Sequence, residues 1–422
     1  MDRGEVQSWS TAERGVSLVR VVFRSDGADA STRPVSDNEI RGDVPAASKP
    51  LRVAIAHDYL TQRGGAEKVV LSMAKAFPEA VIYTTLYDPD NTYPQFKGMD
   101  IRVSPLNRIG ALRRNHRAAL PLLPLAASSI LIDADVVLVS SSGWAHGFRT
   151  TGSKAVYCYS PARWLYQPES YLGDAAGWKK RVALAAMTPA LKAWDRRAAR
   201  SCDAYFAISN AVVDRITAAY DRSSTVLPAP ATIETEETPE PVASVEPWVT
   251  EGYYLCISRL LAYKNVDKII EAFRGTDRRL VVVGRGPEAD NLRRTLPDNV
   301  RMVSDLSDSQ IAWLYRNCAA VVAASYEDYG LTPIEGAAYG KPAALLRWGG
   351  FLDTAIEDVT AVYFDEPEPA QIRAAVTRLE TIRWDRRRIV EHVLRFSDEH
   401  FAAQLYDIVD NLASTGTRKV SP

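Results

Sequence analysis

From Leu51 onward, short apolar runs alternate with longer stretches in which apolar residues recur every three or four positions. RVAIAH (52–57) precedes GGAEKVVLSMAKAF (64–77); DVVLVSSS (135–142) and KAVYCYS (154–160) follow; DAYFAIS (203–209) leads into NAVVDRITAAY (210–220). Continuous Val/Ile/Ala runs bounded by turn residues and followed by helical patterns predict strands buried on both faces of a parallel sheet. The stretch 232–250, TIETEETPEPVASVEPWVT, breaks this rhythm with Pro, Glu and Thr and predicts a linker. The rhythm then restarts with YYLCISR (253–259), RLVVVGRG (279–286), VRMVS (300–304), AAVVAAS (319–325), PAALLR (342–347) and AVYF (361–364). Helical segments separate these runs, and SDEHFAAQLYDIVDNLA (397–413) closes the chain. The expected fold class is α/β, with two doubly wound, Rossmann-like parallel-sheet domains facing across a cleft. Residues 51–230 form the first, 231–250 the linker, 251–395 the second, and 396–415 a helix returning to the first. Residues 1–50, rich in Ser, Asp, Arg and Gly, predict a disordered extension. Open sheets of this kind bind ligands at the carboxyl ends of their strands.

Length agrees with that division, since 422 residues exceed one compact core. A net charge of −1 supplies no global attraction to nucleic acid or anionic membrane, so any basic surface is local. The four cysteines (158, 202, 256 and 318) lie far apart without a C-x-x-C pair, which points to reduced thiols in a cytoplasmic setting. The longest apolar stretch, ALPLLPLAASSILI (119–132), is interrupted by prolines and is shorter than the roughly 20 residues of a membrane span.

Chemistry concentrates in YEDYGLTPIEGAAYGKP (326–342), directly after a buried strand. Thr332, Pro333 and Glu335 have the spacing of an N-cap, a first helical residue and a capping-box acid. The amides of Gly330, Leu331 and Thr332 then lie at a helix N-terminus, where an anion is favoured. Glu327 stands in the loop before that helix and has no capping role. Amides for phosphate and carboxylates for hydroxyls suit a phosphorylated, sugar-like ligand. Arg259 and Lys264, in the loop after the first strand of the second domain, offer a bidentate fork and a point charge for a diphosphate.

Together, S-R-x4-K-N before a helix, G-R-G-P, and E-D-Y-G-L-T-P-I-E with its two glutamates resemble the retaining glycosyltransferases of family four, which have the GT-B fold. HDYLTQRGGAEKV (57–69), GKPAALLRWGGFLDT (340–354) and FSDEHF (396–401) are similar to the subgroup making bacterial surface polysaccharides. The resemblance covers residues 51–415. It implies that Arg259, Lys264 and the Gly330–Thr332 amides hold the diphosphate of a GDP- or UDP-linked sugar. It further implies that Glu335 binds the ribose, that Glu327 contacts the transferred sugar or acts as nucleophile, and that Gly64 and Gly65 approach the phosphates from the first domain. Neither a cofactor nor a metal is implied. The expected reaction is metal-independent hexose transfer, with mannose favoured, to a hydroxyl of a glycan or lipid-linked acceptor bound by the first domain.

Relatives often carry a His where this chain has Tyr159 and Ser160, and His146 in SSSGWAHGF is the substitute candidate for facing the sugar. His57 and Asp58 end the first strand and either face the acceptor or hold that strand end. Arg108, Arg113, Arg114 and Arg117, and Trp178 with Lys179, Lys180 and Arg181, adjoin apolar stretches. Such patches suit an anionic membrane, here the inner face of the plasma membrane. Two competing readings stand beside this one. VVVGRGPEA (281–289) with Asp305 fits a loose nicotinamide-dinucleotide pattern and a dehydrogenase, although Pro287 and Glu288 crowd the pyrophosphate position. A catalytically inactive GT-B sugar-nucleotide-binding protein is the other.

Overall fold

The structure is a computed structural model that describes residues 51–114, 122–167, 178–231 and 238–419; the expected extension 1–50 lies outside them. Pro50–Pro422 forms one compact unit. Seven parallel strands build the first sheet: β1 (Val53–His57), β2 (Val81–Thr84), β3 (Ile101–Val103), β4 (Val136–Ser141), β5 (Ser153–Cys158), β6 (Ala204–Ala207) and β7 (Thr225–Val226). Their spatial order is β3-β2-β1-β4-β5-β6-β7. The second sheet holds β8 (Tyr254–Ile257), β9 (Leu280–Val283), β10 (Val300–Val303), β11 (Ala320–Ala323), β12 (Ala343–Leu346) and β13 (Ala361–Phe364), in the order β10-β9-β8-β11-β12-β13. Both sheets therefore wind outward from a central pair, β1/β4 and β8/β11. His57 lies opposite Ser140 in the first pair, and Tyr254 opposite Ala320 in the second. Those pairs are the switch points where crossovers diverge and leave a crevice. Every residue of β4, β9, β11, β12 and β13 is buried, as runs covered by helices on both faces require.

The helices that position the site are α1 (Gly65–Ala76), α2 (Arg163–Tyr166), α3 (Trp178–Arg200), α4 (Asn210–Tyr220), α5 (Asp308–Asn317), α6 (Leu331–Ala338) and α7 (Asp398–Lys419). Phe401, Leu405 and Val409 of α7 are buried in the core of the first sheet. Tyr329 and Ile334, which flank the start of α6, belong to that same core although they follow a strand of the second sheet. The acidic loop is thus seated between the two sheets.

The stretch read as a linker differs in its latter part. Residues 232–237 lie outside the described residues, but Val242, Val245 and Trp248 are buried in the core of the second sheet. The Arg301 guanidinium lies 3.9 Å over the Trp248 ring. Apolar residues three apart that end in a short 3-10 turn (Glu246–Trp248) carry too few repeats to register as a period.

Candidate functional site

The helix after β11 starts earlier than the sequence predicts. Gly330 is its N-cap, with φ +86 and ψ 82, and Leu331 is its first residue. A Cβ at Gly330 would collide with the Phe351 ring, so both backbone angle and packing require glycine here. No side chain caps α6, and the expected Thr332–Glu335 capping box is absent. The Glu335 carboxylate instead accepts a hydrogen bond from the Tyr315 hydroxyl of α5 at 2.6 Å. Burial first, and Glu335 second, push the Tyr315 pKa well up, so the phenol stays a neutral donor. The Thr332 hydroxyl reaches the Ile257 carbonyl at 3.5 Å.

Glu327 pairs with the Lys264 ammonium and accepts from the Ser325 hydroxyl at 3.1 Å. Lys264 is 8% exposed and also lies 4.9 Å from the centre of the Tyr263 ring. The family resemblance implies that the two charges serve different parts of a ligand; in the structure they pair with each other. Arg259 is exposed, and among the described residues its guanidinium makes no ion pair. The Glu327 carbonyl accepts from the Gly350 amide at 2.9 Å. Gly349, at φ +55, passes so close to Glu327 that a side chain would strike its carbonyl. The pair Gly349–Gly350 therefore seats the acidic loop, a role hidden in sequence because it rests on contact between distant loops.

Across the cleft, Gly64 caps α1 in extended backbone and Gly65 opens it. A Cβ on Gly64 would meet the Glu67 carboxylate, which is 1% exposed. Glu67 Oε1 lies 4.0 Å from His57 Nε2. His57 Nδ1 stands 3.0 Å from the Ser140 carbonyl and 2.9 Å from the Ser140 hydroxyl. A carbonyl only accepts, so Nδ1 carries the hydrogen and Nε2 faces the carboxylate. Burial lowers the His57 pKa, but the nearby Glu67 carboxylate, aided by Asp58, outweighs it and the net direction is up. The Tyr159 hydroxyl lies 2.9 Å from the Ser140 hydroxyl and donates to the Ala66 carbonyl at 3.2 Å, tying the end of β5 to the first turn of α1. His57 and Asp58 are both buried. Asp58 accepts from the amides of Ser142, Trp144 and Ala145 at 2.6, 2.9 and 2.6 Å, so it shapes the loop after β4 and does not face an acceptor.

His146 is not in the cleft. It is 2% exposed, with Nε2 2.9 Å from Asp195 Oδ1 of α3 as a charge contact without hydrogen-bond alignment. The Trp194 and Tyr220 rings enclose it, and its carbonyl accepts from the buried Lys154 ammonium at 2.7 Å. The strand-end position that suggested a catalytic role is real, but the 3-10 turn Ala145–Gly147 rotates the imidazole into the core.

A crevice of about 560 Å³ runs between α1 and the α5–α6 pair, lined by Lys68, Ser72 and Tyr93 on one side and Asp308, Tyr315 and Glu335 on the other. Its size lies within the ordinary range of ligand sites, about 300–1,000 Å³. The G-R-G turn is explained by packing: a Cβ on Gly284 or Gly286 would strike the carbonyls of Ser258 and Leu260. Among the described residues, no group of three His, Cys, Asp or Glu side chains could hold a metal ion, and no helix is long and apolar enough to cross a membrane.

Two parallel sheets with facing switch points and an intervening crevice define the GT-B fold, and known proteins agree. Sucrose-phosphate synthase from Thermosynechococcus elongatus superposes with a TM-score of 0.63 at 16% identity, covering 86% of this chain and 100% of that one. Anabaena HepE in complex with UDP superposes with a TM-score of 0.62 at 15% identity, over 86% of this chain and 100% of that one. Residues 243–394 match the family model described as glycosyl transferases group 1. The chain is 27% identical over 198 residues to an uncharacterized glycosyltransferase, YqgM, of Bacillus subtilis, covering 44% of this chain and 54% of that protein. It thus spans about half the length of that curated relative.

Proposed function

We propose that the chain is a glycosyltransferase that moves a sugar from a nucleotide-diphosphate donor to an acceptor hydroxyl with retention of configuration. One observation carries this reading. At the switch point of the second sheet, the Lys264–Glu327 pair stands in the loops beside the N-terminus of α6, within a GT-B fold. The first amides of a helix lack partners inside it and favour an anion. Leu331 and Thr332 would therefore receive the diphosphate, with Lys264 and the exposed Arg259 neutralising it. Glu335, oriented by Tyr315 at the crevice wall, suits the ribose hydroxyls. Glu327 is left to contact the transferred sugar or the positive charge that develops at its anomeric carbon. Catalysis on this scheme is leaving-group stabilisation and positioning, and none of the residues named needs a metal. The glycine turn at Gly64–Gly65 lets the first domain close on the phosphates.

The donor is assigned as a GDP- or UDP-linked hexose, with mannose favoured, and the acceptor as a surface glycan or its lipid-linked precursor. A specific feature of the first domain favours an acceptor at a membrane. Ile109 is exposed (50%) directly after Arg108 and shortly before Arg113 and Arg114 in the chain, and Leu122 and Leu125 are exposed (45 and 67%) further along the sequence. Apolar residues beside cations suit reversible docking on the anionic cytoplasmic leaflet, at about 1 kcal/mol per cation. Arg117 and the side chains of Trp178–Arg181 lie outside the described residues. A melting-shift screen of nucleotide sugars tests the donor assignment, since a donor at 100 times its Kd stabilises the native state by about 2.7 kcal/mol. A shift with sugar diphosphonucleotides and none with NADH is the expected result; the reverse would restore the dehydrogenase reading.

A further inference from the structure

Asp328 follows Glu327 directly, yet the two acids turn to opposite sides of the cleft. Glu327 pairs within its own domain, whereas Asp328 is taken by two arginines of the first domain. Its Oδ2 pairs with Arg163 of α2, and its Oδ1 lies 2.6 Å from Arg215 Nη1 of α4. The Asp328 side chain is only 12% exposed, so water screens this contact weakly. Two further cross-domain hydrogen bonds flank it: the Tyr329 hydroxyl donates to the Ala229 carbonyl at 2.6 Å, and the Asp353 carboxylate accepts from the Asn210 backbone amide at 3.0 Å.

We propose that Arg163 and Arg215 are positioning residues that act through Asp328, holding the Glu327 loop and the start of α6 against the first domain in the closed arrangement. Asp328 is one peptide unit from Glu327, and the Gly350 amide fixes the Glu327 carbonyl, so the loop moves as a piece. Releasing Asp328 lets Glu327 shift relative to anything bound on the first domain while leaving the second domain's own contacts in place. Misplacement by about 1 Å can cost a hundredfold in rate. The effect on turnover rests on the glycosyl-transfer reading; the effect on closure does not.

The test uses the full chain with fluorophores on cysteines introduced at Asp90 and Asp290, exposed positions in the two domains (side chains 83 and 90% exposed). The four native cysteines are buried and free, so labelling is selective. Asp328→Asn keeps the shape and removes the charge. It is expected to shrink the closed, high-transfer population and to lower kcat by about tenfold or more while donor Kd stays within about threefold. The exchange Asp328→Arg with Arg215→Asp is expected to restore closure in part, and Arg163→Gln to reproduce the loss. An unchanged closed population in a cooperatively melting Asp328→Asn protein overturns the proposal, as does a loss of donor affinity equal to the loss of kcat. If the wild-type chain transfers sugar from no donor, the functional reading fails, and the energy-transfer arm alone decides the clamp.

Discussion

Replacing Lys264 with Met removes one charge of a pair that is neither fully buried nor free in water. The side chains are 9% exposed for Lys264 and 28% for Glu327. Exposed pairs contribute about 0.2–1 kcal/mol, and breaking a buried pair costs about 3–5. The intermediate exposure here places the loss at about 2 kcal/mol, most of it from the carboxylate left without its cation. For the compact unit Pro50–Pro422 that corresponds to a fall in Tm of about 2–3 °C. Met fills the space of the Lys stem, so the change isolates charge from packing. Calorimetry of Lys264→Met, Glu327→Gln and the double variant closes a thermodynamic cycle. The double variant should recover most of the loss, because no orphan charge remains, giving a coupling of about 2 kcal/mol. With UDP or GDP bound, Lys264 divides its charge between carboxylate and phosphate, and the coupling should shrink. Additive losses, with a coupling below about 0.5 kcal/mol, would show that the pair is a crossing of side chains without energetic content.

Gly330→Ala is expected to cost about 2–4 kcal/mol, from the left-handed backbone at φ +86 and the collision with Phe351, whereas Gly65→Ala, with open space around its Cα, should change stability by under about 0.5 kcal/mol; Tm measurements on both compare the two. Tyr315→Phe should weaken nucleotide binding by about threefold to tenfold in calorimetric titration, because Glu335 loses the hydrogen bond that orients it. The raised His57 pKa makes its protonated form the one that folding favours. That stabilisation is fully present below the ordinary imidazole value of 6.5 and is lost as pH rises through the higher native pKa. Wild-type Tm should therefore fall across that window relative to His57→Asn, and parallel curves would contradict the assignment.

The doubly wound sheets were legible because β9 and β11 to β13 are unbroken apolar runs and β4 opens with four apolar residues, a pattern with few alternatives. β3 was not, since Ile101–Val103 is only three residues long, and its Arg102 and Val103 are exposed at the sheet edge. Within the candidate site, charge and turn chemistry place Lys264 and Glu327 at neighbouring strand ends and Glu335 in the helix that follows, as the structure has them. Their partners could not be read this way. Tyr315 reaches Glu335 from another helix, and Arg163 and Arg215 reach Asp328 from another domain, contacts that no local period encodes. His146 failed for a related reason: being at a strand end fixes where the backbone is, while one 3-10 turn decides whether the ring meets solvent or Asp195. The capping box failed because the helix starts at Leu331 with Gly330 as N-cap, so Thr332 already lies inside it and its hydroxyl turns to the Ile257 carbonyl.

Glu327 is proposed to act in sugar transfer with retention, and the anomeric configuration of the product decides whether it does. Incubation of the full chain with UDP- and GDP-hexoses and an alcohol or glycan acceptor, followed by proton NMR of the new glycosidic linkage, should show the donor's own anomeric configuration. Glu327→Gln should lower the rate by about a hundredfold or more with the melting shift on donor binding preserved. An inverted product, or a Glu327→Gln protein as active as wild type, would contradict the account.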